Sequence, residues 1–126
     1  KVIFCIGETS AQKRKKLTKK ILFYQLNHGL KKIKNKKNII IAYEPVWSIG
    51  TGLIPKYEDL MDTIKVIKDF LMSKMKFKDP KVLYGGSVNP KNISFLKKVI
   101  NLDGFLIGGS SQNSNKFIDI IKKTFN

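Results

Sequence analysis

The chain has 126 residues, with 25 Lys and Arg against nine Asp and Glu, and a formal net charge of +16. Its single cysteine, Cys5, excludes a disulfide within the chain, and no apolar stretch is long enough to span a bilayer. These features are typical of a cytoplasmic protein without structural disulfides.

The large positive charge first suggests a nucleic acid or an anionic membrane as partner. However, Arg14 is the only arginine, and the lysine runs contain no aromatic residues. Proteins that bind nucleic acids usually use arginine for bidentate contacts and aromatic side chains for base stacking. We therefore interpret the lysines as solvated outer faces of helices and expect neither nucleic acid nor membrane as partner. A basic nucleic-acid-binding protein stays an alternative.

The first part of the chain predicts a strand followed by a helix. The apolar run Val2–Ile6 predicts the strand, and apolar side chains at helical spacing predict a helix over residues 17–30, with Tyr24 on its apolar stripe. The pair His28 and Gly29 either ends this helix or interrupts it.

A second strand and a long helix follow. Residues Ile39–Tyr43 show no polar alternation, which is the pattern of a strand buried on both faces of a parallel sheet. Pro55 is well placed as the first residue of the next helix, whose apolar stripe continues over residues 60–75. Asp79 and Pro80 then break the helical pattern.

The remaining pattern predicts a strand at Val82–Tyr84, a helix over residues 90–100 with Ile100 facing inward, and a strand over residues 105–107. The last helix is predicted to be lined by Phe117, Ile118, Ile121 and Phe125. Four strands alternating with four helices imply parallel βα units with right-handed crossovers, and thus an α/β fold.

Glu44 directly follows the second strand, and a loop containing Pro45 and Trp47 leads from it to Gly50 and Gly52. The carboxyl ends of parallel strands are where ligands bind in α/β sheets and barrels. A carboxylate that is shielded from water at such a position can serve as a general base. Without the residues around it, Glu44 would be interpreted as a solvated loop carboxylate or a helix cap.

Residues 42–52, AYEPVWSIGTG, resemble the catalytic strand and lid loop of the triosephosphate isomerase family. Three further segments resemble the family in the same order: CIGE at residues 5–8, YGGSVNP at 84–90 and DGFLIGGS at 103–110. The resemblance implies a (β/α)8 TIM barrel, which needs roughly 250 residues. We therefore expect residues 1–126 to be one partial domain, the last four βα units of a barrel and the carboxyl-terminal half of a longer protein. A naturally split or truncated gene product is the alternative.

The resemblance implies that Glu44 is the base of an isomerase. It would move a proton between adjacent carbons of dihydroxyacetone phosphate and glyceraldehyde 3-phosphate through an enediolate, with no metal and no cofactor. The loop over residues 46–52, called the lid below, would close over the substrate and exclude water. Glu8 matches a residue that binds the Trp47 indole when the lid is open. The residues implied in the lid are Val46, Trp47 and Gly52, and Pro45 is implied directly before it.

Gly50, Ser87, Gly108 and Gly109 match the positions that bind the substrate phosphate in the family. Such positions commonly offer backbone N–H groups in glycine-rich turns. Tyr84 and Ser87 also match residues that latch the closed lid.

One departure from the family pattern follows the lid, where this chain has Leu53, Ile54 and Pro55. Pro55 has no N–H, so a latch from the Tyr84 hydroxyl to that backbone nitrogen cannot form.

The family's Asn, Lys and electrophilic His belong to the barrel half that the resemblance does not cover. His28, the sole histidine, is expected outside the site. We therefore expect the isolated chain to be inactive, and to be marginally stable or self-associating because both edge strands are unpaired. The expected partners are the amino-terminal half of the barrel, a phosphorylated triose and, in the complete protein, a second copy forming a homodimer. A non-catalytic phosphate-binding half-barrel is the alternative.

Overall fold

A computed structural model describes all residues of the chain, 1–126. It contains four strands, five α-helices and one short 3₁₀ helix over Gly109–Gln112. The strands are β1 (Val2–Ile6), β2 (Ile39–Tyr43), β3 (Val82–Tyr84) and β4 (Gly104–Phe105). The helices are α1 (Ser10–Arg14), α2 (Thr18–Leu30), α3 (Tyr57–Ser73), α4 (Ile93–Leu96) and α5 (Ser114–Phe125).

The four strands form one parallel sheet in the order β1-β2-β3-β4. The register pairs Ile6 with Tyr43 and Tyr43 with Tyr84, and then Tyr84 with Phe105. Each strand therefore lies beside the preceding one, with its carboxyl end at the same edge of the sheet. This order of parallel strands is that of half a (β/α)8 barrel, and it confirms the predicted fold class.

The hydrophobic core lies between one face of the sheet and the long helices. The first and third turns of α3 contribute fully buried Leu60 and Ile67, and α2 contributes Leu22, Leu26 and Leu30. Gly29 allows α2 to pack closely on β1, because a Cβ at this position would lie 2.3 Å from the ring of Phe4. The helix thus continues through His28 and Gly29 without interruption.

Side chains on a strand alternate between the two faces of a sheet. Phe4 of β1 and Ile41 and Tyr43 of β2 face the helices and the core. Ile3 and Cys5 face the opposite side, called the inner face below, and both are exposed. The inner face is the side that the interior of a barrel would occupy.

Asp103 joins β3, β4 and α3 at the amino end of the strands. Its Oδ2 accepts a hydrogen bond from the Val82 N–H at 2.8 Å and contacts the Lys68 ammonium of α3 at 2.6 Å. The Asp103 N–H in turn donates to the Val82 carbonyl at 2.9 Å. Because Lys68 and Asp103 are both largely shielded from water, this pair fixes the entry into β4 more firmly than an exposed ion pair would.

Two predictions about the long helices are wrong. Pro55 does not begin α3, because the helix starts at Tyr57 with Lys56 in an extended conformation before it. Tyr24 does not belong to the buried stripe of α2. Its ring is exposed and stacks on His28, with 5.6 Å between the ring centroids.

The predictions for the last third of the chain need larger corrections. The helix predicted over residues 90–100 is α-helical only over Ile93–Leu96 and continues as turns, so Ile100 is exposed. The strand predicted over residues 105–107 is observed at Gly104–Phe105. In α5 the buried residue is Ile120, whereas the four predicted lining residues are exposed: Phe117, Ile118, Ile121 and Phe125. No helix of the structure is both long and apolar enough to cross a membrane.

Candidate functional site

Glu44 lies where the carboxyl ends of the first three strands meet. The Glu44 N–H donates to the Ile6 carbonyl at 2.7 Å, and the Gly85 N–H donates to the Tyr43 carbonyl at 2.9 Å. These bonds extend the sheet ladder by one residue beyond β2 and β3. They hold the backbone of Glu44 rigidly between the turns that follow β1 and β3.

The side chain of Glu44 points to the inner face. The alternation of β2 places Glu44 on the side opposite to Tyr43, and two observations agree with this. A Cβ at Gly85 would lie 2.6 Å from Cγ and 2.7 Å from Oε1 of Glu44, and Glu44 contributes to raising the pKa of Cys5, which faces the same side. Glu44 is half-buried, so its carboxylate is held in place and remains accessible.

The thiol of Cys5 can report on this carboxylate. Partial burial, followed by a hydrogen bond to Glu44 and the negative charge of Glu44, raises the pKa of Cys5 to about 11. Because only the thiolate is nucleophilic, alkylation of Cys5 in the folded chain should be slow at about pH 8. Replacing Glu44 with Gln should lower the pKa of Cys5 and speed alkylation several-fold, measured by mass spectrometry after iodoacetamide treatment.

Two controls make this result interpretable. Replacing the exposed Glu58 of α3 with Gln should leave the alkylation rate unchanged, and after unfolding in urea all variants should react alike. Equal rates for the folded Glu44→Gln variant and the parent chain would contradict the contact between Cys5 and Glu44.

The amino-terminal end of the lid is anchored by Glu8, which is only 1% exposed. Its Oε1 accepts a hydrogen bond from Trp47 Nε1 at 2.9 Å, and both its oxygens accept from the Tyr43 hydroxyl at 3.2 Å. Burial, followed by the charge of Glu8, raises the pKa of Tyr43, so its hydroxyl remains a donor. Two donors thereby compensate a buried carboxylate, which would otherwise be costly to desolvate.

The carboxyl-terminal end of the lid is attached to the turn after β3. The Gly52 N–H donates to Ser87 Oγ at 2.9 Å, and the Ser87 N–H donates to Ser48 Oγ at 3.2 Å. Gly50 and Gly52 have φ angles of 70° and 80°, where a Cβ would be strained. The lid is therefore held at one end by the bond from Trp47 to Glu8 and at the other by the bond from Gly52 to Ser87.

Tyr84 contacts the lid through Ser48. The two hydroxyl oxygens are 3.0 Å apart, and Ser48 Oγ also donates to the Leu53 carbonyl at 2.5 Å. A serine hydroxyl has one proton to donate, so Tyr84 donates to Ser48. Tyr84 is thus tied to the lid through Ser48, whereas Pro55 has no N–H to donate to the Tyr84 hydroxyl.

The turn after β4 lies beside the turn after β3. Ser110 Oγ donates to the Val88 carbonyl at 2.8 Å, which ties the two turns together. A Cβ at Gly108 or Gly109 would meet no atom within 4 Å, and the same holds at Gly50. The N–H groups of Gly50 and Gly108 donate to no acceptor within the chain. Both N–H groups therefore lie beside unoccupied space and are free to donate to an anion.

The structure thus brings the predicted site residues to one end of the sheet. Glu44, the lid, Ser87 and the Gly108 turn all follow the carboxyl ends of neighbouring strands. His28 stands apart on the exposed surface of α2. No group of three or more His, Cys, Asp or Glu side chains is arranged to hold a metal ion.

The sequence interpretation missed three contributors to this site. Ser48 links the lid to Leu53, Tyr84 and Ser87. Lys13 lies over the Trp47 ring, and the Gln25 amide forms hydrogen bonds of 2.9 and 3.0 Å with the backbone of Gly7. Ser48 carried a recognisable signal, because it is a polar residue between Trp47 and an apolar Ile in the lid. The other two depend on how α1 and α2 pack, which their local sequence does not reveal.

Comparison with known proteins points to one family. A family model described as Triosephosphate isomerase matches residues 1–124. The triosephosphate isomerases of Zygosaccharomyces bailii and Saccharomyces cerevisiae are both 44% identical over 123 residues, which is 95% of this chain and 49% of theirs. That of Thermodesulfovibrio yellowstonii is 40% identical over 124 residues, 97% of this chain and 50% of its own length. The chain spans about half the length of the curated relatives it matches. It belongs to the triosephosphate isomerase family.

Proposed function

We propose that this chain supplies the catalytic base, the lid and the phosphate site of a triose-phosphate isomerase. The chain would act as the last four βα units of a barrel, and the complete barrel means this chain together with the first four units. The observation that carries the proposal is the position of Glu44. Its carboxylate lies on the inner face beside the turn after β3, and the lid follows Glu44 directly in the chain.

In the proposed reaction, Glu44 removes a proton from the carbon next to the carbonyl of dihydroxyacetone phosphate. The electron pair of that C–H bond forms the enediolate, and the carbonyl oxygen becomes negatively charged. Return of the proton from Glu44 to the adjacent carbon, together with transfer of the hydroxyl proton of the first carbon to the oxygen of the second, gives glyceraldehyde 3-phosphate. A general base positioned in this way contributes about 10²–10⁴-fold to the rate.

The substrate phosphate would bind at the free N–H groups of Gly50 and Gly108, with Ser87 and Gly109 beside them. Backbone N–H groups bind an anion without a buried counter-charge. Gly50 lies in the lid and Gly108 in the turn after β4. A phosphate bound to both N–H groups would therefore stabilise the lid in a closed position. Lid closure excludes water from the enediolate and strengthens the electrostatic interactions around Glu44.

His28, the only histidine of this chain, lies on the exposed surface of α2 and would not reach the developing enediolate oxygen. Stabilisation of this oxygen is often the largest single contribution to catalysis. We therefore assign turnover to the complete barrel and expect none from the isolated chain.

Amide hydrogen exchange of the complete barrel tests the proposed phosphate site. A non-reactive phosphate-bearing substrate analogue should protect the amides of Gly50, Gly108 and Gly109, while that of Gly104 at the other end of β4 should not change. If the analogue slows amide exchange at none of these three glycines, the proposed phosphate site is wrong.

A phosphate-binding half-barrel without catalysis is the second candidate, favoured by the absence of an electrophilic side chain near Glu44. The two candidates differ in turnover. If the complete barrel binds the analogue but produces no glyceraldehyde 3-phosphate, the binding module is correct and the isomerase is not.

A further inference from the structure

The one tryptophan of the chain is held on two sides. Its Nε1 donates to the buried Glu8 carboxylate at 2.9 Å, while the Lys13 ammonium lies 4.0 Å from the centroid of its ring. A cation over the face of an indole is attracted by the negative face of the ring, and tryptophan is the strongest aromatic partner for this interaction. Trp47 therefore has a carboxylate at its edge and an ammonium on its face.

The start of α1 places both charged groups. Thr9 is the N-cap of this helix, and its Oγ1 accepts from the Gln12 N–H at 3.3 Å, while Gln12 Oε1 accepts from the Thr9 N–H at 2.8 Å. This capping box fixes the direction in which the helix leaves β1. Because Glu8 precedes the cap and Lys13 lies one turn beyond it, the same turn presents both to Trp47.

Lys13 has no carboxylate partner that would explain its position. It takes part in none of the ion pairs of the chain, which join Lys65, Lys68, Lys81 and Lys123 to aspartates. Its side chain is exposed, so holding it over one ring costs side-chain entropy. The contact with the indole is the interaction that offsets this cost.

We propose that Lys13 is a positioning residue that holds the amino-terminal end of the lid in the Glu8-bound conformation. The inference rests on the proposed function of residues 46–52 as a lid. When Trp47 leaves Glu8, it must also leave Lys13, so Lys13 sets part of the equilibrium between the held and released lid. Removing the cation at an exposed site should raise the population of the released conformer about two- to fivefold.

The experiment is ¹⁹F NMR of the complete barrel labelled with 5-fluorotryptophan, with the Trp47 signal assigned by Trp47→Phe. In the Lys13→Met variant the Trp47 signal should move toward the released position. In Lys13→Arg, which retains a cation over the ring, it should stay at the parent position. Lys20→Met provides the matched control, because it removes the same charge from an exposed position on α2.

An unchanged Trp47 signal in Lys13→Met would overturn the proposal, and so would equal shifts in Lys13→Met and Lys13→Arg. The measurement needs no substrate and no turnover. A separate assay of glyceraldehyde 3-phosphate formation tests the isomerase itself. Failure of the proposal for Lys13 can therefore be distinguished from failure of the proposed function.

Discussion

Replacing Glu44 with Gln in the complete barrel is expected to lower kcat about 10³-fold and to change KM little. The amide has nearly the shape of the carboxylate, so the contacts with Gly85 and the lid remain. It cannot accept the substrate proton, and therefore the reaction loses its base while the phosphate site is retained. The measurement is the rate of glyceraldehyde 3-phosphate formation from dihydroxyacetone phosphate.

Two further variants sharpen this result. Glu44→Asp keeps the negative charge but shortens the side chain by one methylene. A misplacement of about 1 Å can lower the rate about 10²-fold, so we expect a loss of that size in kcat. Glu58→Gln, at the exposed start of α3, removes a carboxylate far from the site and should leave kcat unchanged. If Glu44→Gln keeps more than a tenth of the parent activity, Glu44 is not the base.

Replacing Gly85 with Ala should damage catalysis while leaving the fold largely intact. The new Cβ would lie 2.6 Å from Cγ and 2.7 Å from Oε1 of Glu44. Glu44 can relieve this contact by rotating its flexible side chain, so the fold tolerates the change but the carboxylate leaves its position. We expect kcat to fall about 10²-fold, with a melting temperature close to that of the parent.

Gly7→Ala is the matched comparison, because its Cβ would meet backbone instead of a side chain. The nearest atoms are the carbonyl oxygen and carbon of Glu44, and the latter lies 2.5 Å away. Since the ends of β1 and β2 cannot separate without losing ladder bonds, this variant should lose about 1–3 kcal/mol of unfolding free energy or more. Equal destabilisation by both substitutions would show that Gly85 serves the fold and not the carboxylate.

The sequence predicted the first two-thirds of the fold well because buried parallel strands are continuous apolar runs. Val2–Ile6, Ile39–Tyr43 and Val82–Tyr84 have the predicted bounds. The prediction for α4 was wrong because apolar spacing does not distinguish a helix from a succession of turns. The prediction for Pro55 was wrong because proline is compatible with an extended segment before a helix as well as with the first turn of a helix.

The apolar stripe of α5 was interpreted as core, yet most of it is exposed. Helical spacing shows that one face of α5 is apolar, but it does not show which surface covers that face. In the complete barrel the first four units would lie next to β1 and α5. Val2 of β1 and Phe117 of α5 are both exposed in this chain, and we expect those units to cover them.

The local part of the candidate site was predictable, whereas its long-range part was not. Glu44 and the lid glycines lie within one short stretch, so their order in sequence carries the pattern. The bonds from Ser48 to Tyr84 and from Lys13 to Trp47 join residues that lie 34 or more positions apart. Such contacts depend on the packing of loops and on side-chain rotamers, which one sequence does not specify.

The central claim is that Glu44 and the three turns beside it form the working half of a site whose electrophile comes from the other half of the barrel. The most direct test is the turnover of dihydroxyacetone phosphate by the purified chain before and after addition of the separately produced first four βα units. We expect no isomerisation above the buffer rate before addition and isomerase activity once the two halves have assembled. Comparable turnover by the chain alone, or a folded assembly of both halves without turnover, would contradict the account.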